Sequence, residues 1–271
     1  MAAKTVCLDP GHGPTTVNGS PDGTYKEQEF AWDLYTRIRP LLLRRGVRVV
    51  VTRTQDDKPS LTARAQVSNN AGADLFLSLH TNAAGNSGWS APRGFLALTS
   101  ASGNAPRNAA AQAIIQEARA AGVVVRGSGL SHNATLTVLA KTKAPAVLIE
   151  YGFHTNREDV ALLKTSAYRD KLAEATARGA CAFLGIPWED TKGEDEMTEQ
   201  QVREIVETVL EEQRIKTYDT LQEVPEWGRE TVSKLVNRGL LLGDGRGLGL
   251  TYDLLRQLVL NDRARLYQSI P

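Results

Sequence analysis

Ala73-Asp74-Leu75-Phe76-Leu77-Ser78-Leu79-His80-Thr81-Asn82 is an almost unbroken apolar run that ends in a histidine. A strand covered on one face alternates apolar and polar residues, whereas one covered on both faces does not, so this run predicts a central strand of a helix-covered parallel sheet. Similar runs occur on either side of it, at Thr5–Asp9, Val47–Arg53, Gly94–Leu98 and Ala146–Glu150. Between them lie helical patterns over about 27–45, 60–71 (Ser60 as N-cap), 106–121 and 167–185, the last stopped by Pro187 and Trp188. Strand–helix alternation of this kind predicts an α/β domain over residues 1–187, a mainly parallel twisted sheet flanked by helices.

The chain has 271 residues, which suits one large domain and a small one. With 41% hydrophobic and 23% charged residues, wholesale disorder and collagen-like structure are excluded. Cys7 and Cys181 are the only cysteines, both in apolar runs, so they make no disulfide framework or CxxC metal pair and read as small buried hydrophobes. No run reaches the ~18 apolar residues of a membrane span. The N-terminus enters a strand pattern at once, without a Sec-type signal, so the expectation is synthesis in the cytoplasm.

Charge is divided along the chain. Residues 1–187 carry 21 Lys and Arg against 14 Asp and Glu, and residues 188–271 carry 11 against 17. The basic part suits an anionic partner, a cell-wall polymer or nucleic acid, or is an ordinary solvated surface. Residues 188–197 read as an acidic linker. Thr198 and Gln201 form a capping box, followed by an apolar stripe of Val202, Ile205, Val206, Val209 and Leu210. Residues 198–271 form a small helical module: Pro225 opens one helix, with Trp227, Val232, Leu235 and Val236 on one side and Gly239 at its end. Thr251–Leu266 is another. The glycines at 243, 245, 247 and 249 follow a helix rather than a strand, so they read as a turn and not a dinucleotide fingerprint.

The candidate chemistry lies at strand ends. His12 follows the first strand in Asp9-Pro10-Gly11-His12-Gly13, His80 ends the third and Glu150 ends the last, Val147-Leu148-Ile149-Glu150. Open parallel sheets bind ligands at the carboxyl ends of their strands, so these groups converge on one edge. Glu27 and Glu29 begin the first helix near the same edge, where either carboxylate would also stabilise the helix dipole. Two histidines and a glutamate make a catalytic zinc set with one position left for water, and a further glutamate suits a general base. The same residues also read as structural histidines and capping carboxylates. HExxH, GxSxG and P-loop patterns are all missing, and Cys7 lies inside a buried strand, a poor place for a nucleophile.

With these residues in place, the sequence resembles the zinc-dependent N-acetylmuramoyl-L-alanine amidases of the phage-endolysin and bacterial-autolysin type over about residues 4–186. The likeness rests on the Asp9–Gly13 turn, Glu27 with Phe30, Trp32, Leu34 and Ile38 after it, Val51-Thr52-Arg53, Leu61…Arg64…Asn69, the 73–83 run, and Pro145 through Asn156. It implies zinc held by His12, Glu27 and His80, with Glu150 as catalytic acid–base. Glu27 rather than Glu29 is implied because the apolar positions fall in register from it. The implied reaction is cleavage between N-acetylmuramic acid and L-alanine in peptidoglycan at the bacterial cell wall. His154 departs from the commoner pattern, and with His132 and Asn82 it is a candidate for substrate or ligand-orienting contacts. The 224–245 region resembles, more loosely, half of an S-layer-homology module, which implies an anionic cell-wall polymer as partner, with homodimerisation as the other reading. No nucleic-acid partner is expected. Alternatives are a zinc peptidase acting within the stem peptide and a catalytically silent wall-binding protein.

Overall fold

The structure is a computed structural model that describes residues 3–85, 88–101, 104–188, 217–243 and 247–264. The chain divides into two compact units, Met1–Asp195 and Glu196–Pro271. The expected linker, apart from Trp188, and the capping-box helix after it lie outside the described residues.

In the first unit, strands β1 (Thr5–Pro10), β2 (Arg48–Val51), β3 (Leu75–Asn82), β4 (Phe95–Thr99), β5 (Val125–His132) and β6 (Ala146–Phe153) form one sheet in the order β2-β1-β3-β6-β4-β5. β2, β1, β3 and β6 are parallel. β4 runs antiparallel to β6, and β5 runs parallel to β4. The sheet is therefore mixed, with a four-stranded parallel part. Helices α1 (Glu27–Leu43), α3 (Ala105–Ala120) and α6 (Ser166–Leu184) cover one face. Helices α2 (Leu61–Ala71) and α4 (Thr137–Lys141) cover the other, and α5 (Arg157–Leu163) follows β6.

Alternation along the strands divides the apolar runs between two cores. Val6, Leu8, Leu75, Leu77, Leu79, Val147 and Ile149 join the larger core, under α1, α3 and α6. Cys7, Phe76, Ala146 and Leu148 join the smaller one, with Val138 and Leu139 of α4. Burial pushes the Cys7 thiol up to about 12, which fits an inert hydrophobe. The helix ends follow the sequence chemistry. Ser60 accepts from Ala63 N, Asn104 from Arg107 N, and Asn156 from both Glu158 N and Asp159 N, while Gly72 and Gly185 close α2 and α6 in the left-handed region.

Strand β5 and the short helices α4 and α5 had no counterpart in the sequence reading. β5 carries Gly127 and Gly129, both at positive φ, and its register slips between Phe95 and Ala97 of β4. A strand interrupted in this way shows no apolar period.

The second unit contains β7 (Thr217–Tyr218), α7 (Glu226–Asn237), β8 (Leu250–Thr251) and α8 (Tyr252–Arg263), around Tyr218, Val224, Val232, Leu250, Leu255 and Val259. The inward face of α7 is Gly228, Thr231, Val232 and Leu235. This corrects the expected stripe: Trp227 and Val236 are 43% and 38% exposed, because Gly228 takes the close contact with Leu255. Of the glycine stretch, Gly245 lies outside the described residues; after it, Leu248 N donates to the Asp219 carbonyl and Gly249 N to the Asp219 carboxylate. Among the described residues, no helix is long and apolar enough to cross a membrane.

α3 and α6 cross at Gly179, where an added Cβ would stand 2.5 Å from Ile114 Cα, a backbone atom. We predict that Gly179→Ala lowers stability by about 1–3 kcal/mol through overpacking. Thermal denaturation of the two proteins checks this; an unchanged midpoint would show that the crossing relaxes freely.

Candidate active site

β1, β3 and β6 run parallel and deliver their carboxyl ends to one edge of the sheet. His80 and Glu150 are direct partners in the β3–β6 register, so alternation puts both side chains on the same face. His12 lies two residues beyond β1, with φ of +58°. For a residue with a Cβ this backbone costs on the order of 1–2 kcal/mol, so something must hold the turn. Two arginines do so. Arg64 donates to Asp9 Oδ1 (2.9 Å), to Pro10 O (2.8 Å) and to His12 O. Arg53 donates to Pro10 O (2.8 Å) and Gly11 O (3.3 Å). Asp9 is buried and also accepts from Thr52 Oγ1 and Ser78 Oγ, so it anchors the turn.

Glu27, the first residue of α1, enters the same place. Its Oε2 is 3.0 Å from His12 Nε2 and its Oε1 is 3.0 Å from His80 Nδ1. Thr81 N also donates to Oε1 at 2.9 Å. Burial alone would raise the Glu27 pKa, but hydrogen bonds and charge from the two imidazoles outweigh it and hold the carboxyl well below its usual range. Burial likewise opposes a charge on His80, yet Glu27 raises its pKa. Glu29 is exposed and paired with Lys26 at 2.8 Å, away from this cluster.

Glu150 is half-buried, and its Oε2 is buried without a hydrogen-bond partner among the described residues. Burial pushes its carboxyl up to about 7; the His80 imidazole opposes the shift and the Glu27 charge adds to it. A carboxylate tuned this close to neutrality can both take and return a proton.

His154, 6% exposed, lies beside the cluster. Its Nδ1 is 3.1 Å from Thr81 Oγ1 and 3.9 Å from Glu27 Oε2, and burial lowers its pKa. Tyr25 OH donates to Thr81 Oγ1 at 3.2 Å, leaving the threonine proton for His154. Asn82 ends β3 nearby, and its carbonyl accepts from His154 N. His132 is placed elsewhere. It ends strand β5 rather than lying in a loop, and because β4 and β5 run against β6 it is carried to the opposite edge of the sheet, where its Nδ1 is 2.8 Å from Thr99 Oγ1. The expectation that it touches substrate is corrected on that ground.

His12, Glu27 and His80 fit a divalent metal. Their donor atoms lie within 4.8 Å of one another, and donors around a tetrahedral zinc stand roughly 3.3–3.5 Å apart. The set is two imidazoles and a buried carboxylate, and the orphaned Glu150 oxygen lies on the strand next to His80. Sequence reasoning gave no role to Arg53, Arg64, Tyr25 or Thr81. The available signal was Arg64: it shares the inward stripe of α2 with Ala65 and Ser68, where an arginine needs a buried partner such as Asp9. Gly11 has a specific cause, since an added Cβ would stand 2.4 Å from His80 Cε1.

We expect Gly11→Ala to displace the His80 ring and weaken zinc affinity at least tenfold, with the fold kept. Zinc titration alongside circular dichroism tests this, and wild-type affinity in the variant would show that the ring has room to move.

Residues 6–182 match the family model described as N-acetylmuramoyl-L-alanine amidase. The N-acetylmuramoyl-L-alanine amidase LytC of Bacillus subtilis is 32% identical over 183 residues, 68% of this chain and 36% of LytC, so this chain spans only about a third of that relative. The endolysin of Bacillus phage SPP1 is 33% identical over 186 residues, 68% of this chain and 67% of the endolysin. Among solved structures, an N-acetylmuramoyl-L-alanine amidase from Clostridium difficile 630 superposes with a TM-score of 0.61 at 29% identity, covering 71% of this chain and all of that one. The catalytic domain of the amidase CwlV from Bacillus (Paenibacillus) polymyxa gives 0.61 at 27% identity, over 68% of this chain and 99% of that one.

Proposed function

This chain belongs to the N-acetylmuramoyl-L-alanine amidase family, and from that premise we propose that it hydrolyses the amide between N-acetylmuramic acid and L-alanine in peptidoglycan, using zinc. The observation that carries the reading is the His12–Glu27–His80 cluster with the unpartnered Glu150 oxygen beside it.

His12, Glu27 and His80 would hold the zinc ion. When bound, it supplies Lewis acidity to the attacking water and to the scissile carbonyl. Glu150 takes the proton of that water at its carboxylate and delivers it to the departing nitrogen. Thr81 N and the two imidazoles fix the Glu27 carboxylate, while Arg64 holds the His12 carbonyl and Arg53 the Pro10 and Gly11 carbonyls before it. The Tyr25–Thr81–His154 chain closes the space behind Glu27 and orders its surroundings.

The biological setting we read as lysis of a bacterial cell wall of the endolysin type, supported by the likeness to the phage protein. The equal likeness to LytC supports an autolysin setting with the same chemistry. For the second unit we propose contact with the wall polymer or with another copy of the chain.

Digestion of purified peptidoglycan, read by mass spectrometry, tests the reaction. With zinc, free peptides beginning at L-alanine should appear beside intact glycan, and a chelator should abolish them. Peptides cut internally would instead show a peptidase. Glu150→Gln should keep stoichiometric zinc and lose at least about 10²-fold in turnover; near-normal turnover would remove Glu150 from the reaction. His80→Ala should lose the metal, and stoichiometric zinc in that variant would remove His80 from the ligand set.

A further inference from the structure

We propose that Arg126 is a specificity-determining residue of this site, receiving a carboxylate of the peptide half of the substrate; the proposal rests on the amidase reading above. Val125 pairs with Phe95 and Leu130 with Ala97, so the four residues Arg126–Gly129 of β5 oppose the single residue Leu96 of β4. Leu96 is in turn the partner of Glu150 on β6. The bulge therefore stands level with Glu150, two strands away, about 10 Å at the usual strand spacing. A bulge next to a site re-aims a side chain. Here the long Arg126 side chain spans the gap, and its guanidinium carbon lies 5.6 Å from the centroid of the Phe153 ring. Phe153 lies three residues past Glu150 and is fixed, because Asp159 Oδ2 accepts from both Phe153 N and Gly94 N at 2.8 Å.

A guanidinium resting on an aromatic face is oriented but not neutralised. Arg126 is exposed, and among the described residues its guanidinium forms no hydrogen bond or ion pair. Arg93 shows the contrast at the same end of the sheet, since it is paired with Glu158. The bulge is also built to hold its shape. Gly127 and Gly129 have positive φ, and a Cβ at Gly129 would stand 2.7 Å from side-chain atoms of Ile115 and Val125. An oriented guanidinium without an ion-pair partner, on a bulge level with Glu150, is a receptor for an anion. Under the amidase reading, the substrate anions nearest the scissile bond on the leaving half are the carboxylates of the stem peptide, and these are what such a receptor would take.

The test uses the zinc-loaded full chain and two muramoyl tetrapeptides that differ only in whether the peptide carboxylates are free or amidated. Removing one charge-assisted contact is expected to cost about tenfold or more in binding. In Arg126→Gln the ratio of kcat/KM for the free acid over the amidated peptide should fall by that factor, carried by KM. Arg126→Lys, which keeps the charge, should recover part of it. An equal change on both substrates, or an effect carried by kcat alone, would overturn the proposal while leaving the amidase reading in place. Failure of the wild-type chain to cut either peptide at the muramoyl–alanine bond would remove the amidase reading, and the proposal with it.

Discussion

The buried ion pair between Asp9 and Arg64 holds this site together. Side chains of both are nearly inaccessible to water, 1% and 3% exposed. Taking such charges out of water is costly, and the pair is retained only where geometry and further hydrogen bonds satisfy it. Asp9 meets that condition through Thr52, Ser78 and Arg64, and Arg64 meets it by donating also to the carbonyls of Pro10 and His12. The return on that cost is positional. Three backbone segments, the end of β1, the end of β2 and the first turns of α2, are fixed to one another at the point where His12 must adopt a left-handed backbone. Removing one partner of such a pair typically costs about 3–5 kcal/mol, several times the strain held in the turn.

The fold and the residues that meet in the candidate cluster were legible for a shared reason. A strand buried on both faces carries a polar group only where a partner satisfies it, as Asp9 and Ser78 do for each other, so the titratable residues toward the carboxyl end of each apolar run mark where chemistry is available. His80 and Glu150 were found that way. Glu27 was separated from Glu29 only by the family resemblance; in the structure Glu27 is buried at the start of α1 and Glu29 is exposed beside Lys26. What was not legible depends on contacts between distant segments. The direction of β4 leaves no trace in its own residues, so the edge at which β5 ends could not be read, and His132 was grouped with the wrong edge. β5 itself is built from glycine and serine around a bulge, and α4 and α5, with 5 and 7 residues, are too short to establish a helical period.

Since both faces of the sheet are spent on cores, variation has two places to act: the loops at the carboxyl edge, and the edge strands. β2 has four residues and is tied to β1 throughout. β5, with a free outer side, accommodates three extra residues against β4 without disturbing either core. A substitution in the bulge changes what stands near Glu150 and leaves the His12–Glu27–His80 cluster in place, because that cluster is held by β1, β3 and α1 on the far side of β6. The proposed reaction and the proposed selectivity thereby fall on different strands of one sheet. The excess of basic over acidic residues in the 1–187 segment would act in the same direction at longer range on an anionic polymer, with the proposed Arg126 contact selecting within it.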